Sequence, residues 1–247
     1  IMISIFILVF TGIGIATLFM RKGYSLGRTA KSPAAVGLIM PAIMLGLLAI
    51  ALLCPPPRAA EPGNAVRSGV LFYSTKGPGS MFAPLWISLG AGLLVGFLAQ
   101  RSRICTMGAF RDLILFRHWH LLSGVLALVV AAFVTNLIVG QFKPGFAGQP
   151  VAHDLHFWNF AGMVLAGLAF ALAGGCPGRQ LFLAGEGDGD AAVFVMGMIT
   201  GAAFAHNFGL ATSPKGLGPH SIAALVVGIA FCLWIGFGMR ESSVKES

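Results

Sequence analysis

The chain consists mainly of apolar stretches that are long enough to cross a membrane. Of its 247 residues, 57% are hydrophobic and 10% are charged, and the mean hydropathy is +0.87, whereas a soluble domain is about a quarter charged. A bilayer core takes about 20 apolar residues per spanning helix. We therefore predict an all-α polytopic membrane protein with about seven hydrophobic helices. The predicted spans are 1–20, 34–53, 82–100, 121–141, 157–174, 191–210 and 222–239.

The net charge of +8 comes from basic residues at the ends of these stretches, a pattern of membrane anchoring that argues against nucleic acid as a partner. Alternate connectors differ in basic content, and one set carries eleven of the 16 Lys and Arg residues. Connectors rich in Lys and Arg face the cytoplasm. We therefore predict that this set, together with the C-terminus, is cytoplasmic.

The domain organisation follows from a long polar loop rich in proline and glycine. We predict an N-terminal helix pair over 1–53, a linker over 54–81, a helical domain over 82–240 and a polar tail over 241–247. Because Ile1 is not a start residue and no basic segment precedes the first apolar stretch, we expect the helix pair to be the remainder of a truncated upstream half.

Two segments interrupt the apolar pattern at a cysteine. "QRSRICTMGAFRD" (100–112) places arginines around Cys105, and "GGCPGRQLFLAGEGDGD" (174–190) breaks a helix with glycines and a proline around Cys176. A broken helix in a membrane leaves backbone groups unpaired, which is tolerated where protein or a water-filled cavity covers them. Proline fits the first turn of a helix, so Pro177 is predicted to begin a new one.

This placement predicts two electropositive cysteine sites. A helix N-terminus favours negative charge and lowers the pKa of a thiol, and basic side chains flank both cysteines. We identify Cys105 and Cys176 as two candidate soft, anionic sulfur sites, with Cys54 and Cys232 as apolar fillers. The candidates for attracting an anion are Arg101, Arg103 and Arg179. For Arg101 and Arg103 the alternative is anchoring at the lipid headgroups.

Further polar residues are candidates for supporting this site. Asp190 is predicted to cap the helix that starts near Ala191, with a counter-charge to Arg179 as the alternative. Arg111 and Asp112 form either an ion pair or part of the site. A polar group inside a span is often functional, although a structural pair is our first interpretation of His206 and Asn207. The supporting candidates are Arg111, Asp112, Gln180, Asp190, His206 and Asn207.

Other site types lack their sequence signals. The four cysteines have no CxxC spacing, which argues against a zinc or disulfide framework, and we predict no metal or cofactor. We found no nucleotide loop and no Ser-His-Asp arrangement. We therefore expect neither a conventional enzyme nor an ATP-driven pump in this chain.

The two cysteine motifs, "QRSRICTMGAFRD" and "ALAGGCPGRQLFLAGEGDGDAAVF", resemble those of the YeeE/YedE sulfur-transport family, and most closely its YedE-related branch in selenium metabolism. The resemblance covers about residues 21 to 240. It implies a bacterial inner-membrane protein with an hourglass-like helical fold, in which substrate passes between cysteines. That role maps onto Cys105 and Cys176.

The main hypothesis is a permease for a small selenium- or sulfur-containing anion, relayed by Cys105 and Cys176. One alternative is a membrane-embedded sulfur or selenium transferase, in which Cys176 carries the atom covalently to a cytoplasmic carrier protein. Another is a structural membrane subunit in selenium metabolism. The expected partners are the anion, the lipid bilayer and that carrier protein.

Overall fold

The described part of the chain is almost entirely helical. The computed structural model describes residues 2–26, 33–54, 66–68, 71–73, 83–142, 145, 155–213 and 216–239. Within these ranges ten helices and one two-stranded ribbon form. The helices are α1 (Met2–Arg21), α2 (Ala34–Gly37), α3 (Ile39–Leu53), α4 (Leu85–Ser102), α5 (Thr106–Phe116), α6 (His120–Ile138), α7 (His156–Leu172), α8 (Pro177–Gly185), α9 (Gly189–Asn207) and α10 (Ser221–Gly238).

The helices confirm the predicted membrane class, because each predicted span overlaps at least one of them. Six helical segments are long and apolar enough to cross a bilayer, and a shorter apolar helix covers Phe10–Arg21. Two of the six are interrupted. The segment Leu85–Phe116 comprises α4 and α5, and His156–Gly185 comprises α7 and α8. The predicted short helices at the two cysteine motifs are therefore present, in a multi-pass membrane protein.

The polar segment predicted as a linker contains a short ribbon that was not predicted. Strands β1 (Val66–Ser68) and β2 (Leu71–Tyr73) pair antiparallel, with Val66 opposite Tyr73. Most of the remaining linker, and the predicted tail 241–247, lie outside the described residues.

The chain divides into two compact units that interleave along the sequence. The first comprises residues 1–30, 104–180 and 193–247, and the second comprises 31–103 and 181–192. The first unit thus includes α1, whereas α2 and α3 belong to the second. The domain boundaries given by composition stay a prediction.

In the first unit, α1 packs closely along α7. The core contains Ile13, Ala16 and Leu168, each at most 2% exposed. A Cβ on Gly12 would collide with the Val164 carbonyl oxygen of α7, so the absence of a side chain there allows the two backbones to approach.

Helices α1, α7 and α10 run in the same direction. Residue numbers rise together along each pair of neighbouring helices at their points of contact. Gly12 faces Val164, Tyr24 bonds to Leu172, Phe19 faces Gly236, and Ser25 bonds to Met239. The odd-numbered spans of an alternating topology must run parallel, and these helices are the first, fifth and seventh predicted spans. The parallel direction agrees with that topology, while its orientation in the membrane stays a prediction.

In the second unit, the connection between α8 and α9 approaches α2. A Cβ on Gly37 would lie 2.7 Å from the Gly187 carbonyl oxygen, and Gly187 has a φ of 93°. Glycine adopts this left-handed conformation without steric cost. The turn therefore depends on glycine for both its backbone angle and its close contact.

The predicted cap of α9 is wrong by two residues. The helix begins at Gly189, and the Asp188 carboxylate accepts a hydrogen bond from the Ala191 backbone N–H at 2.8 Å. A capping side chain bonds to the amide two or three residues further on, and Asp188 has that spacing. Asp190 lies inside the first turn and is exposed, so it provides favourable charge at the helix N-terminus.

Candidate functional site

Each cysteine motif has the same backbone arrangement. Helix α4 ends at Ser102, and Arg103 turns the chain with a φ of 49°. Helix α7 ends at Leu172, and Gly174 turns the chain with a φ of 81°. In each motif the cysteine follows the left-handed residue by two positions, and a short helix begins directly after the cysteine. The two motifs therefore share a repeated local structure.

The two thiols cap the short helices. Cys105 Sγ accepts a hydrogen bond from the Gly108 backbone N–H at 3.3 Å, and Cys176 Sγ accepts one from the Arg179 backbone N–H at 3.4 Å. These bonds satisfy amides that have no partner within their own helix. Both sulfurs therefore lie at positive helix ends, where negative charge is stabilised. The predicted start of α8 at Pro177 is confirmed.

The first unit brings the two thiols together. The Cys105 and Cys176 side chains are neighbours that interact with each other, and the Cys176 backbone also lies beside Cys105. Thr106, the first residue of α5, lies beside Cys176. Both cysteines are half-buried against the core of the unit. Residues far apart in sequence thus form one thiol pair, with short-helix amides around it.

Tyr24 supports the turn that leads to Cys176, and sequence reasoning missed it. Its hydroxyl donates a 2.7 Å hydrogen bond to the Leu172 carbonyl oxygen, one of the last carbonyls of α7. Burial raises the pKa of Tyr24, with a smaller contribution from Cys232, so its hydroxyl remains protonated and able to donate. The sequence signal that could have identified Tyr24 is its position directly after an apolar helix, in a chain with only two tyrosines.

We expect Tyr24→Phe to lower stability by about 1 kcal/mol, because the buried Leu172 carbonyl loses its side-chain donor while the ring is kept. A modest decrease in the midpoint of thermal unfolding of the detergent-purified protein would show this effect. Lys22→Gln, which changes an exposed side chain two positions from Tyr24, is the matched control. An unchanged midpoint in Tyr24→Phe would contradict the assigned role.

Arg179 and Gln180 place polar groups in the interior next to Cys176. Among the described residues, Nη1 of Arg179 is a buried side-chain nitrogen without a hydrogen-bond partner. Gln180 is 9% exposed, and its Nε2 lies 2.6 Å from where a Cβ on Gly175 would be. A buried guanidinium nitrogen without a partner is costly. An anion that accepted a hydrogen bond from this nitrogen would relieve that cost. Attraction of an anion by Arg179 stays a prediction.

Arg111 and Asp112 form an ion pair. The Nη2 of Arg111 lies 2.8 Å from Oδ1 of Asp112, and its Nε donates to the same oxygen at 2.9 Å. Their side chains are 36% and 21% exposed, so solvent screens the pair and its contribution to stability is small. The predicted ion pair is thus present, whereas a role of Arg111 and Asp112 in substrate binding stays a prediction.

The other predicted site residues are exposed. Arg101 and Arg103, at the end of α4, belong to the second unit, as does Asp190. His206 and Asn207 end α9, where the Asn207 side-chain amide donates to the Ala203 carbonyl at 2.8 Å within the same helix. Among the predicted site residues, the observed side-chain contacts join Cys105 with Cys176 and Arg111 with Asp112. The functional roles of the other predicted site residues stay predictions.

Comparison with known proteins identifies the family of the chain. A family profile described as sulphur transport matches residues 101–237, more than half of the chain and inclusive of both cysteine motifs. The chain belongs to the YeeE/YedE sulfur-transport family. Membership in that family confirms the resemblance seen in the motifs, while the selenium branch stays a prediction.

Two curated relatives in this family are named thiosulfate transporter TsuA. The relative from Spirochaeta thermophila is 36% identical over 106 residues, which are 42% of this chain and 31% of the relative. The relative from Escherichia coli is 33% identical over 111 residues, which are 43% of this chain and 30% of the relative. The aligned part is thus less than a third of each relative's length. No solved structure matches the chain significantly.

Proposed function

We propose that this protein is a membrane permease for a small sulfur- or selenium-containing anion, which Cys105 and Cys176 relay across the break in the helices. The observation that carries the proposal is the pairing of the two thiols at two short-helix N-termini. The curated relatives are named as thiosulfate transporters, which supports a sulfur anion as the substrate. Transport, with no chemical conversion of the substrate, is the proposed activity.

The chemistry of the pair suits passage of such an anion. A thiol is a weak hydrogen-bond donor with a polarizable sulfur, so each cysteine offers a soft contact of low affinity. Conduction requires several weak sites from which the solute can leave. The Arg179 guanidinium and the short-helix amides offset the loss of hydration that an anion suffers inside the protein.

The proposed location is the inner membrane of a bacterium, with a cytoplasmic C-terminus. The excess of Lys and Arg on one set of connectors supports this orientation. A cytoplasmic sulfur or selenium carrier protein is the proposed acceptor if the solute is handed on inside the cell. Each of these statements extends beyond the multi-pass membrane class established by the helices.

Uptake of radiolabelled thiosulfate and selenite into proteoliposomes that contain the purified protein tests the proposal. We expect time-dependent accumulation of one label that an excess of the same unlabelled anion suppresses. Empty liposomes are the control. No accumulation of either label would contradict the proposed permease, and mass spectrometry of the same samples distinguishes the alternative: a stable sulfur or selenium adduct on Cys176 indicates a transferase.

We expect Arg179→Gln to raise the KM for anion uptake roughly tenfold, since a hydrogen bond to a charged group contributes about 1.5–3 kcal/mol. Initial uptake rates measured over a range of anion concentrations would give this KM. Lys22→Gln removes a positive charge from an exposed position in the same unit and is the matched control. Equal KM values for the two variants would show that Arg179 does not attract the anion.

A further inference from the structure

We propose that Cys105 and Cys176 together form a two-coordinate binding site for a soft monovalent metal ion, with Cu(I) as the biological ion and Ag(I) as a stable analogue. The site uses the same thiols as the proposed transport but does not depend on that transport. It follows from which atoms the fold brings together and from the charge that their surroundings favour.

The ligand set selects the type of metal. Both thiols are free of disulfides, they pack against the same core cluster, and each is the other's interacting neighbour. Thiolate ligands select soft ions such as Cu(I). Structural zinc sites need four ligands, whereas the described residues contain no cluster of three or more His, Cys, Asp or Glu side chains. Two thiols without a third ligand match Cu(I), which two ligands can bind in a linear arrangement.

The charge of the complex also suits this position. One monovalent ion and two thiols give a bis-thiolate complex of charge −1 and release two protons to solvent. The Gly108 and Arg179 backbone amides already donate to the two sulfurs, and they retain that role toward thiolates. Helix N-termini stabilise negative charge. The surroundings that suit an anion therefore also suit an anionic metal-thiolate complex.

Competition with a chromophoric Cu(I) chelator, bicinchoninate, tests the site in the purified protein under reducing, oxygen-free conditions. We expect the protein and the Cys54→Ser variant each to withdraw one equivalent of Cu(I) per chain. Cys105→Ser and Cys176→Ser are each expected to bind at least about tenfold more weakly, because losing a metal ligand should cost no less than losing a group that hydrogen-bonds to a ligand. Failure of the unmodified protein to bind, or unchanged binding in both variants, would overturn the proposal.

X-ray absorption of the Cu(I)-loaded, unmodified protein provides a second measurement that does not require a variant to fold. We expect two sulfur neighbours around the metal and no nitrogen or oxygen neighbour. Three or more ligands, or a shell of nitrogen or oxygen, would overturn the assignment. Neither measurement includes thiosulfate or selenite, so a failed metal site and a failed permease give separate results.

Discussion

Cys176→Ser is expected to reduce anion uptake at least about tenfold while the protein stays folded. Serine is a preferred helix cap, so its hydroxyl can accept the Arg179 amide bond that Cys176 Sγ accepts now. The substitution retains the cap of α8 and removes the polarizable sulfur. Initial rates of radiolabelled anion uptake into proteoliposomes, corrected for the amount of inserted protein, measure the effect.

Cys54→Ser is the matched control for this experiment, because Cys54 follows α3 in the second unit and lies outside the thiol pair. We expect this variant to transport at the rate of the unmodified protein. Normal uptake by Cys176→Ser would remove the thiol from the mechanism. A large decrease in Cys54→Ser would show that the loss reflects a general sensitivity to cysteine replacement.

Gly12→Val is expected to destabilise the first unit by about 3 kcal/mol or more, which is the upper range for overpacking a filled core. The new Cβ would collide with the Val164 carbonyl oxygen and lie 2.7 Å from the Leu168 backbone nitrogen. Backbone atoms in a packed helix cannot rotate away from it, so α1 would have to move off α7. Thermal unfolding of the detergent-purified protein would show a large decrease in midpoint or a loss of folded material.

Gly14→Val provides a control for the intrinsic cost of valine in a helix, since a Cβ on Gly14 meets no atom within 4 Å. Both variants make the same substitution in α1, two positions apart. We expect Gly14→Val to unfold near the midpoint of the unmodified protein. Similar decreases in both variants would show that helix propensity, and not the contact with α7, determines the result.

The membrane class and the helix breaks were predictable because they depend on local chemistry. Apolar length determines which segments can span a bilayer, and Pro177 after Gly174 and Gly175 predicts that a helix stops and another begins at Cys176. The backbone conformation was harder to predict at positions that lack such local signals. Arg103 takes a left-handed backbone conformation that costs a non-glycine residue about 1 kcal/mol or more, and nothing in its neighbours required it.

The tertiary contacts of the site were not predictable from one sequence. Composition identified Cys105 and Cys176 separately, but their pairing depends on how α5 and the N-terminal end of α8 fold into one unit. The Tyr24 bond to Leu172 likewise joins segments that are far apart in the chain. The cap of α9 shows a different limit, because Asp188 and Asp190 both precede apolar residues and only the start of the helix at Gly189 distinguishes them.

The most direct test of the two-thiol relay compares thiosulfate uptake by Cys105→Ser, Cys176→Ser and the double variant in proteoliposomes. Thiols that act in series on one substrate are not additive when both are replaced. We therefore expect both single variants to lose uptake to the same low level, and the double variant to be no worse than either. Full uptake by either single variant would contradict the relay.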